Sequence, residues 1–288
     1  MAGRVEKWRK ALRQAINPPP LVQVVRLSGV IGRGSRWQGG LSLEGLDASL
    51  KAAFEGNKLA AVALAINSPG GSPVQSALIA GRIRALAEEK KIPVLAFVED
   101  VAASGGYWLA CAADEIFADR ASIVGSIGVI SAGFGFPRLL ERWGIDRRVY
   151  HQGEHKSMLD PFRPENPDDI ARLLTLQEDI HIAFRDHVRT RRGERLKAED
   201  ATLFNGDIWT GARALDLGLI DGLGDLRQTL RARFGEDVRI RTIGEPTSWL
   251  RRKLGVTAAL AGGASAFPAP EHWINAVENR LEWQRYGL

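Results

Sequence analysis

Residues 61–129 constrain the fold more than any other stretch, because they run twice through one pattern of apolar strand, small-residue turn and helix. Residues 61–66 (AVALAI) and 92–98 (IPVLAFV) suit buried strands and are too short to cross a bilayer. The first is followed by Ser68-Pro69-Gly70-Gly71, the second by a turn ending in Ser104-Gly105-Gly106. Glycine pairs just beyond a strand open backbone conformations that a Cβ forbids, and they leave bare N–H groups where the next helix begins. Repeated units of this kind in one core require right-handed crossovers, a mostly parallel sheet and ligands at the carboxyl ends of the strands. Both glycine turns then meet at one end of the sheet. N–H groups gathered there can receive a developing oxyanion, which makes Ser104 a candidate nucleophile for cutting peptides.

The flanking chain extends this α/β pattern. Residues 21–27 read as a strand, 28–40 as a glycine-rich loop and 41–54 as a helix with Leu43, Leu46 and Leu50 on one side. Residues 72–90 form a helix, with Ser72 as cap and Pro73 in its first turn; the expected apolar face is Val74, Ala77, Leu78, Ile83 and Leu86. A short strand at 115–118 and a third glycine turn, Gly125-Ser126-Ile127-Gly128, follow. Next come a helix at 136–143 stopped by Gly144, a strand at 147–151, and a polar loop at 153–162 that carries Lys156. The long helix at 168–189 has Ile170, Leu173, Leu174, Ile180, Phe184 and Val188 as its expected buried set. Thr210 is placed to cap residues 211–217, Gly218 to stop them, and 238–242 reads as a last strand.

The two ends differ from the middle. Val5, Trp8, Leu12 and Ile16 make a thin apolar stripe on a basic helix that Pro18, Pro19 and Pro20 terminate. At the other end, residues 261–270 are low in complexity, and Trp273, Ile274, Val277 and Leu281 form a second stripe. The expected organisation is a basic amphipathic N-terminal arm at 1–20, one α/β domain at 21–243 and a C-terminal helical arm at 244–288. Each stripe needs a surface to cover it, either a neighbouring copy, which makes a homo-oligomer the expectation, or its own subunit if the arm folds back.

Charge and cysteine content narrow the function classes. The net charge is +5, but residues 4–13 and 189–197 each contribute +4, so the remainder is slightly acidic. There is no broad basic face, and no nucleic-acid partner is expected. Asp114 and Glu115 lack metal-ligand spacing, and neither metal nor cofactor is expected. The single cysteine, Cys111, rules out an intramolecular disulfide and suits a reducing compartment. No apolar run reaches 18 residues, and residues 1–20 have no apolar signal region. The expectation is a cytoplasmic protein without a transmembrane segment, whose basic N-terminal arm makes peripheral membrane contact the alternative.

A serine hydroxyl needs a base. The five histidines (151, 155, 181, 187 and 272) stand in no triad context, and residues 102–106, Ala-Ala-Ser-Gly-Gly, are no GxSxG elbow. Lysine serves as base where burial favours its neutral form. Lys156, near Met158, Leu159 and Phe162, is the candidate, with His151 and His155 in reserve. From the residues alone, each assignment keeps its plainer counterpart. Ser104 is a nucleophile or a helix cap, Lys156 a base or a surface lysine. Gly70-Gly71 is an oxyanion turn or a packing turn. Tyr107 and Trp108 read as core or groove wall.

Five segments in order carry a more specific signal: SPGG at 68–71, AASGGYWLACAADEIFA at 102–118, GSIGV at 125–129, GEHKSMLDPF at 153–162 and WTGARALDLGLID at 209–221. Over roughly residues 21–235 the chain resembles the signal peptide peptidase SppA family of serine peptidases. The resemblance implies a ClpP/crotonase-like α/β fold of repeated β-β-α units, with helices packed on a mostly parallel sheet. It implies Ser104 as nucleophile and Lys156 as general base, with Gly71 and Gly105 supplying the oxyanion N–H groups and Ser126 supporting the dyad or lining the groove. It further implies a peptide substrate (signal-peptide remnants or other short or unfolded peptides) and a ring-like homo-oligomer. Whether serine and lysine meet within one subunit or across a boundary is left open. Many members carry a membrane anchor that this sequence does not show. Two alternatives stand beside the peptidase: a catalytically silent scaffold of the same fold, and a crotonase-like enzyme acting on acyl-CoA.

Overall fold

The computed structural model describes residues 18–32 and 40–244, so the apolar stripes of both expected arms lie outside the described residues. The chain enters through β1 (Leu21–Ser28), α1 (Leu43–Ala53), β2 (Leu59–Ser68), α2 (Pro73–Lys90), β3 (Val94–Ala103) and a short α3 (Gly105–Ala110). Then come β4 (Glu115–Ala118), β5 (Ile123–Gly125), α4 (Pro137–Trp143), α5 (Pro167–Arg192) and α6 (Asp200–Leu203). The last elements are β6 (Ile208–Thr210), α7 (Gly211–Asp216), β7 (Gly222–Leu223), α8 (Leu226–Phe234) and β8 (Arg239–Thr242). The expected caps form: Ser72 accepts from the Gln75 N–H and Thr210 from the Arg213 N–H.

The strands make one eight-stranded sheet whose main path runs β6-β5-β3-β2-β1-β8. Every pairing is parallel except β5 with β6. β2 lies inside the sheet and is covered on both faces, which is why its sequence is almost continuously apolar. On one face Leu27, Leu64, Ile66 and Val98 pack with Ile79 and Ile83 of α2 and Leu109 of α3. On the other, Val24, Ala63, Leu95 and Phe97 meet Leu230 of α8. β3 changes partner along its length: Leu95–Val98 pairs with β4, whereas Val101–Ala103 pairs with β5. Its carboxyl end is thereby held between β2 and β5, and Ser104 is the next residue.

Three sequence expectations are corrected. First, α2 is rotated: it buries Ser76, Ile79, Ala80, Ile83, Leu86 and Ala87, while Val74 is 65% and Leu78 46% exposed. The start of α3 comes so close that only a small side chain fits; a Cβ on Gly105 would lie 2.5 Å from Ser76 Oγ. Second, residues 147–151 form no strand, and no strand among the described residues pairs with them. Third, α5 buries only Phe184, Val188 and Arg192, all in its second half, and leaves Leu174 exposed. None of residues 129–165 is buried, and their hydrogen bonds to described residues stay within the segment or run to α5.

The carboxyl half of α5 is locked to the domain by a buried ion pair. Arg192, 2% exposed, donates to both oxygens of Asp221 at 2.7 and 3.1 Å and to the Gly218 carbonyl at 3.0 and 2.8 Å. Burial pushes the Asp221 carboxyl up, but the Arg192 hydrogen bonds, the Ile116 N–H and nearby cationic charge outweigh it and hold it below the ordinary value. Asp221→Ala leaves the guanidinium buried without its anion and is expected to cost roughly 3 kcal/mol in urea unfolding at pH 7. Because the folded-state value is depressed, the gap between wild type and variant should close as pH falls below the ordinary 3.8.

Candidate active site

Ser104 leaves the end of β3 with φ 52° and ψ −122°, a region that L-residues other than glycine rarely enter. Such a conformation costs on the order of 1–3 kcal/mol and persists only where neighbours over-determine it. Here the Ser104 N–H donates to the Gly125 carbonyl at 2.8 Å, and its own carbonyl accepts from the N–H groups of Tyr107 and Trp108 at 2.9 and 3.0 Å. The hydroxyl makes no capping bond to α3. The backbone is used up in holding the turn, and the side chain is left out of it.

The first glycine turn lies directly against this residue. A Cβ on Gly70 would sit 2.9 Å from Ser104 Cβ and 3.0 Å from the Ala103 carbonyl oxygen. Gly71, at φ 137°, forms a parallel bridge with Ile31, and a Cβ there would fall 2.1 Å from the Ile31 carbonyl oxygen. That bridge uses the Gly70 carbonyl (from Ile31 N–H, 2.7 Å) and the Ser72 N–H (to the Ile31 carbonyl, 2.8 Å). In a parallel ladder the N–H of the residue between points to the opposite side. The N–H groups of Gly71 and Gly105 are engaged by no described residue. Sequence reasoning missed Ser68, whose buried hydroxyl donates to the Gly29 carbonyl at 2.7 Å and accepts from the Gly70 N–H at 3.2 Å. It pins the turn to β1, and its place at the head of the SPGG run was the available signal.

Ser126 belongs to the same cluster. It has φ 53°, its N–H donates to the Asp207 carbonyl at 2.7 Å, and it follows the glycine whose carbonyl holds Ser104. The structure therefore brings together Ser104, Gly70, Gly71, Gly105 and Ser126. It does not bring Lys156 to them. Lys156 is exposed in a run of turns, its N–H donating to the Gly153 carbonyl at 3.2 Å, and the structure records no contact between it and Ser104. The loop around it is tied to α5, with His155 Nε2 2.9 Å from Arg172 and the Leu159 N–H 3.3 Å from Asp169. It is tied to α4's flank by Arg147 to Asp160. The Arg147 hydrogen bond, with the Phe162 N–H, holds the Asp160 carboxyl below its ordinary value.

His151, His155 and His187 have other partners, whereas His181 Nε2 is buried with none among the described residues. His151 Nδ1 is 3.0 Å from the Gly153 carbonyl, and His272 lies outside the described residues. His187 stacks on Trp108 at 5.0 Å with Nε2 3.1 Å from the Trp108 carbonyl. Tyr107 and Trp108 are core, not groove wall. Among the described residues, no three His, Cys, Asp or Glu side chains are grouped so as to hold a metal ion.

A strained serine at a strand end, beside two backbone N–H groups that no described residue engages, on an α/β sheet, has the parts of an acyl-transfer site. The sequence matches the model for peptidase family S49 over residues 86–238. It is 35% identical to a Synechocystis protein provisionally described as a protease, covering 92% of this chain and 91% of that one. It is 33% identical over 235 residues to the chloroplastic serine protease SPPA of Arabidopsis thaliana, covering 78% of this chain and 33% of that protein. A Brucella abortus protein named Na(+)/H(+) antiporter NhaA is 48% identical over 272 residues, which are 93% of this chain and 37% of that longer protein. The chain thus spans about a third of the length of two of these relatives. The 1510-N membrane-bound stomatin-specific protease shares the fold, with a TM-score of 0.50 and 18% identity over 78% of this chain and 98% of that one. The chain belongs to peptidase family S49, and the resemblance read from its five motifs is borne out, as is the α/β fold.

His187 provides a test of these surroundings. Burial pushes its imidazole down from 6.5 to about 4, against the pull of the Trp108 carbonyl. A depressed folded-state value means that stability is whole above about pH 6.5 and is lost as pH falls toward 4. Urea unfolding of His187→Phe between pH 4 and 7 should show a flatter pH dependence than wild type, and NMR of wild type should find this imidazole neutral at pH 5.

Proposed function

We propose that the chain is a serine endopeptidase that works through an acyl-enzyme, with Ser104 as nucleophile and Lys156 as general base. The observation that carries the reading is Ser104 itself: strained, making no cap bond, and beside the Gly71 and Gly105 N–H groups, which no described residue engages, in a chain of a peptidase family. Ser104 Oγ attacks the peptide carbonyl as Lys156 takes its proton. The Gly71 and Gly105 N–H groups receive the oxyanion, each contributing about 3 kcal/mol to the transition state. The lysine then returns the proton to the leaving amine, and water repeats the sequence on the ester. Ser126 supports the dyad or lines the groove. The substrates are short or unfolded peptides, signal-peptide remnants among them, and the site of action is cytoplasmic. No described helix is long and apolar enough to cross a membrane.

The working unit in this reading is a homo-oligomer that completes the site. Within one chain Lys156 is exposed, whereas a lysine acts as base where burial favours its neutral form. Residues 129–165 also present Phe134 at 81% and Trp143 at 68% exposure, beside Ile130 and Tyr150. A second copy lying on this segment covers those side chains and removes water from Lys156, so that lysine and serine meet across the boundary. The expected domain plan has the two terminal arms packing on neighbours as well.

Two experiments test this. Ser104→Ala and Lys156→Met should each lower casein or peptide hydrolysis by about a thousandfold or more without loss of fold. Mixing the two inactive proteins should restore a substantial fraction of wild-type turnover, because some boundaries then pair an intact serine with an intact lysine. Full activity of either single variant would remove that residue from the mechanism, and a dead mixture would place the dyad within one chain. Light scattering at micromolar concentration should give a multiple of 31.5 kDa. A monomer at every concentration would end the shared-site reading.

A further inference from the structure

We infer that Arg191, acting with Arg84 and Asp114, is a positioning residue for Ser104, which it holds in place from the far end of α3. The inference rests on the reading of Ser104 as nucleophile.

α3 has six residues, so it is about 9 Å long, and its last carbonyls accept from the backbone that follows: Tyr107 from the Cys111 N–H at 2.9 Å, Leu109 from Ala112 and Ala110 from Ala113 at 3.0 Å. The carbonyls of that following turn, Cys111 to Asp114, are taken by side chains from α2 and from the end of α5. Arg191 of α5 donates Nε to the Cys111 carbonyl at 2.8 Å and Nη2 to the Ala113 carbonyl at 3.0 Å. Arg84 of α2 donates Nη1 to the Ala112 carbonyl at 3.3 Å. Arg195, just past α5, reaches the Asp114 carbonyl at 2.9 Å. The Asp114 carboxylate binds the cations together, accepting from Arg84 at 2.8 Å and Arg191 at 3.4 Å, and it also accepts from the Val94 N–H at 2.8 Å. Val94 begins β3, the strand whose other end delivers Ser104. The unit from β3 through Ser104 and α3 to Asp114 is therefore closed on itself.

The opposite end of α3 has no slack. A Cβ on Gly106 would lie 2.4 Å from the Ser68 carbonyl oxygen, so the backbones already touch there. With no side chain at Gly105 or Gly106 to adjust, a shift of the short helix along its axis carries Ser104 with it. A misplacement of 1 Å at a reacting atom costs on the order of a hundredfold in rate. The planar guanidinium reaches the two carbonyls from two nitrogens in a fixed fork, a geometry that the single nitrogen of a lysine does not reproduce. The consequence is a specific one: weakening the arginine collar lowers the reactivity of Ser104 and leaves substrate binding alone.

The test uses full-length protein and a fluorophosphonate probe, with modification of Ser104 followed by intact mass and peptide mapping, beside kcat and KM for a peptide substrate. Arg191→Met should slow labelling and lower kcat by about tenfold or more, with KM within about twofold. Arg191→Lys should recover only a minor part of the loss. Arg185→Met, on the same helix and paired among the described residues with Glu178 alone, should behave as wild type. A folded Arg191→Met protein that labels at the wild-type rate overturns the inference while leaving the nucleophile in place. If Arg191→Met does not fold, Arg84→Met decides. A threefold or larger drop in labelling at unchanged KM supports the collar, and an unchanged rate overturns it. Wild-type protein that resists labelling at Ser104 would remove the nucleophile reading and this inference together.

Discussion

The hydrogen bond from the Ser104 N–H to the Gly125 carbonyl, 2.8 Å long, joins the end of β3 to the end of β5, beyond the point where β3 has changed partner from β4 to β5. Around it the backbone has almost no freedom. Gly70 presses on Ser104 Cβ, Gly71 is bridged to Ile31, and Gly106 touches Ser68. Every one of these approaches excludes a side chain. The strain at Ser104 is held by packing on all sides, which is the condition under which a strained residue survives folding. An isolated turn of the same sequence would relax.

α5 links this rigid centre to the exposed part of the molecule. Its carboxyl half is anchored by Arg192 to Asp221 and, through Arg191 and His187, holds the carbonyls behind Ser104. Its amino half carries the bonds to the loop around Lys156. One helix of 26 residues, about 39 Å long, therefore connects both members of the proposed dyad within each chain. If the lysine serves a neighbouring copy, assembly acts on the serine through a rigid element as well as through the shared groove.

Much of this was legible in the residues. The apolar runs ending in glycine turns marked β2 and β3 and the end of the sheet where the site lies, because buried parallel strands are apolar throughout and their turns demand glycine. Ser72 and Thr210 were read correctly as caps, since a cap is decided by neighbours two or three positions away. The failures share a different cause. Val74 and Leu78 have the right spacing for a buried face, but the face that α2 buries is chosen by α3, which allows nothing larger than Ser76 at the contact. Residues 147–151 have strand composition and lack a partner strand among the described residues.

The sequence by itself determined the local chemistry: which residues sit in turns, where helices begin, and that a serine follows a buried strand beside paired glycines. Those outcomes follow from short-range sterics and hydrogen bonding, which a few neighbours decide. Only the tertiary structure decided that no described residue engages the Gly71 and Gly105 N–H groups. It alone showed that the basic run at 189–197 binds the carbonyls of the turn just beyond α3, through Arg191 and Arg195. Along the chain this run reads only as a local charge of +4, because what a guanidinium does depends on carbonyls some 80 residues away that only the packed fold brings within 3 Å.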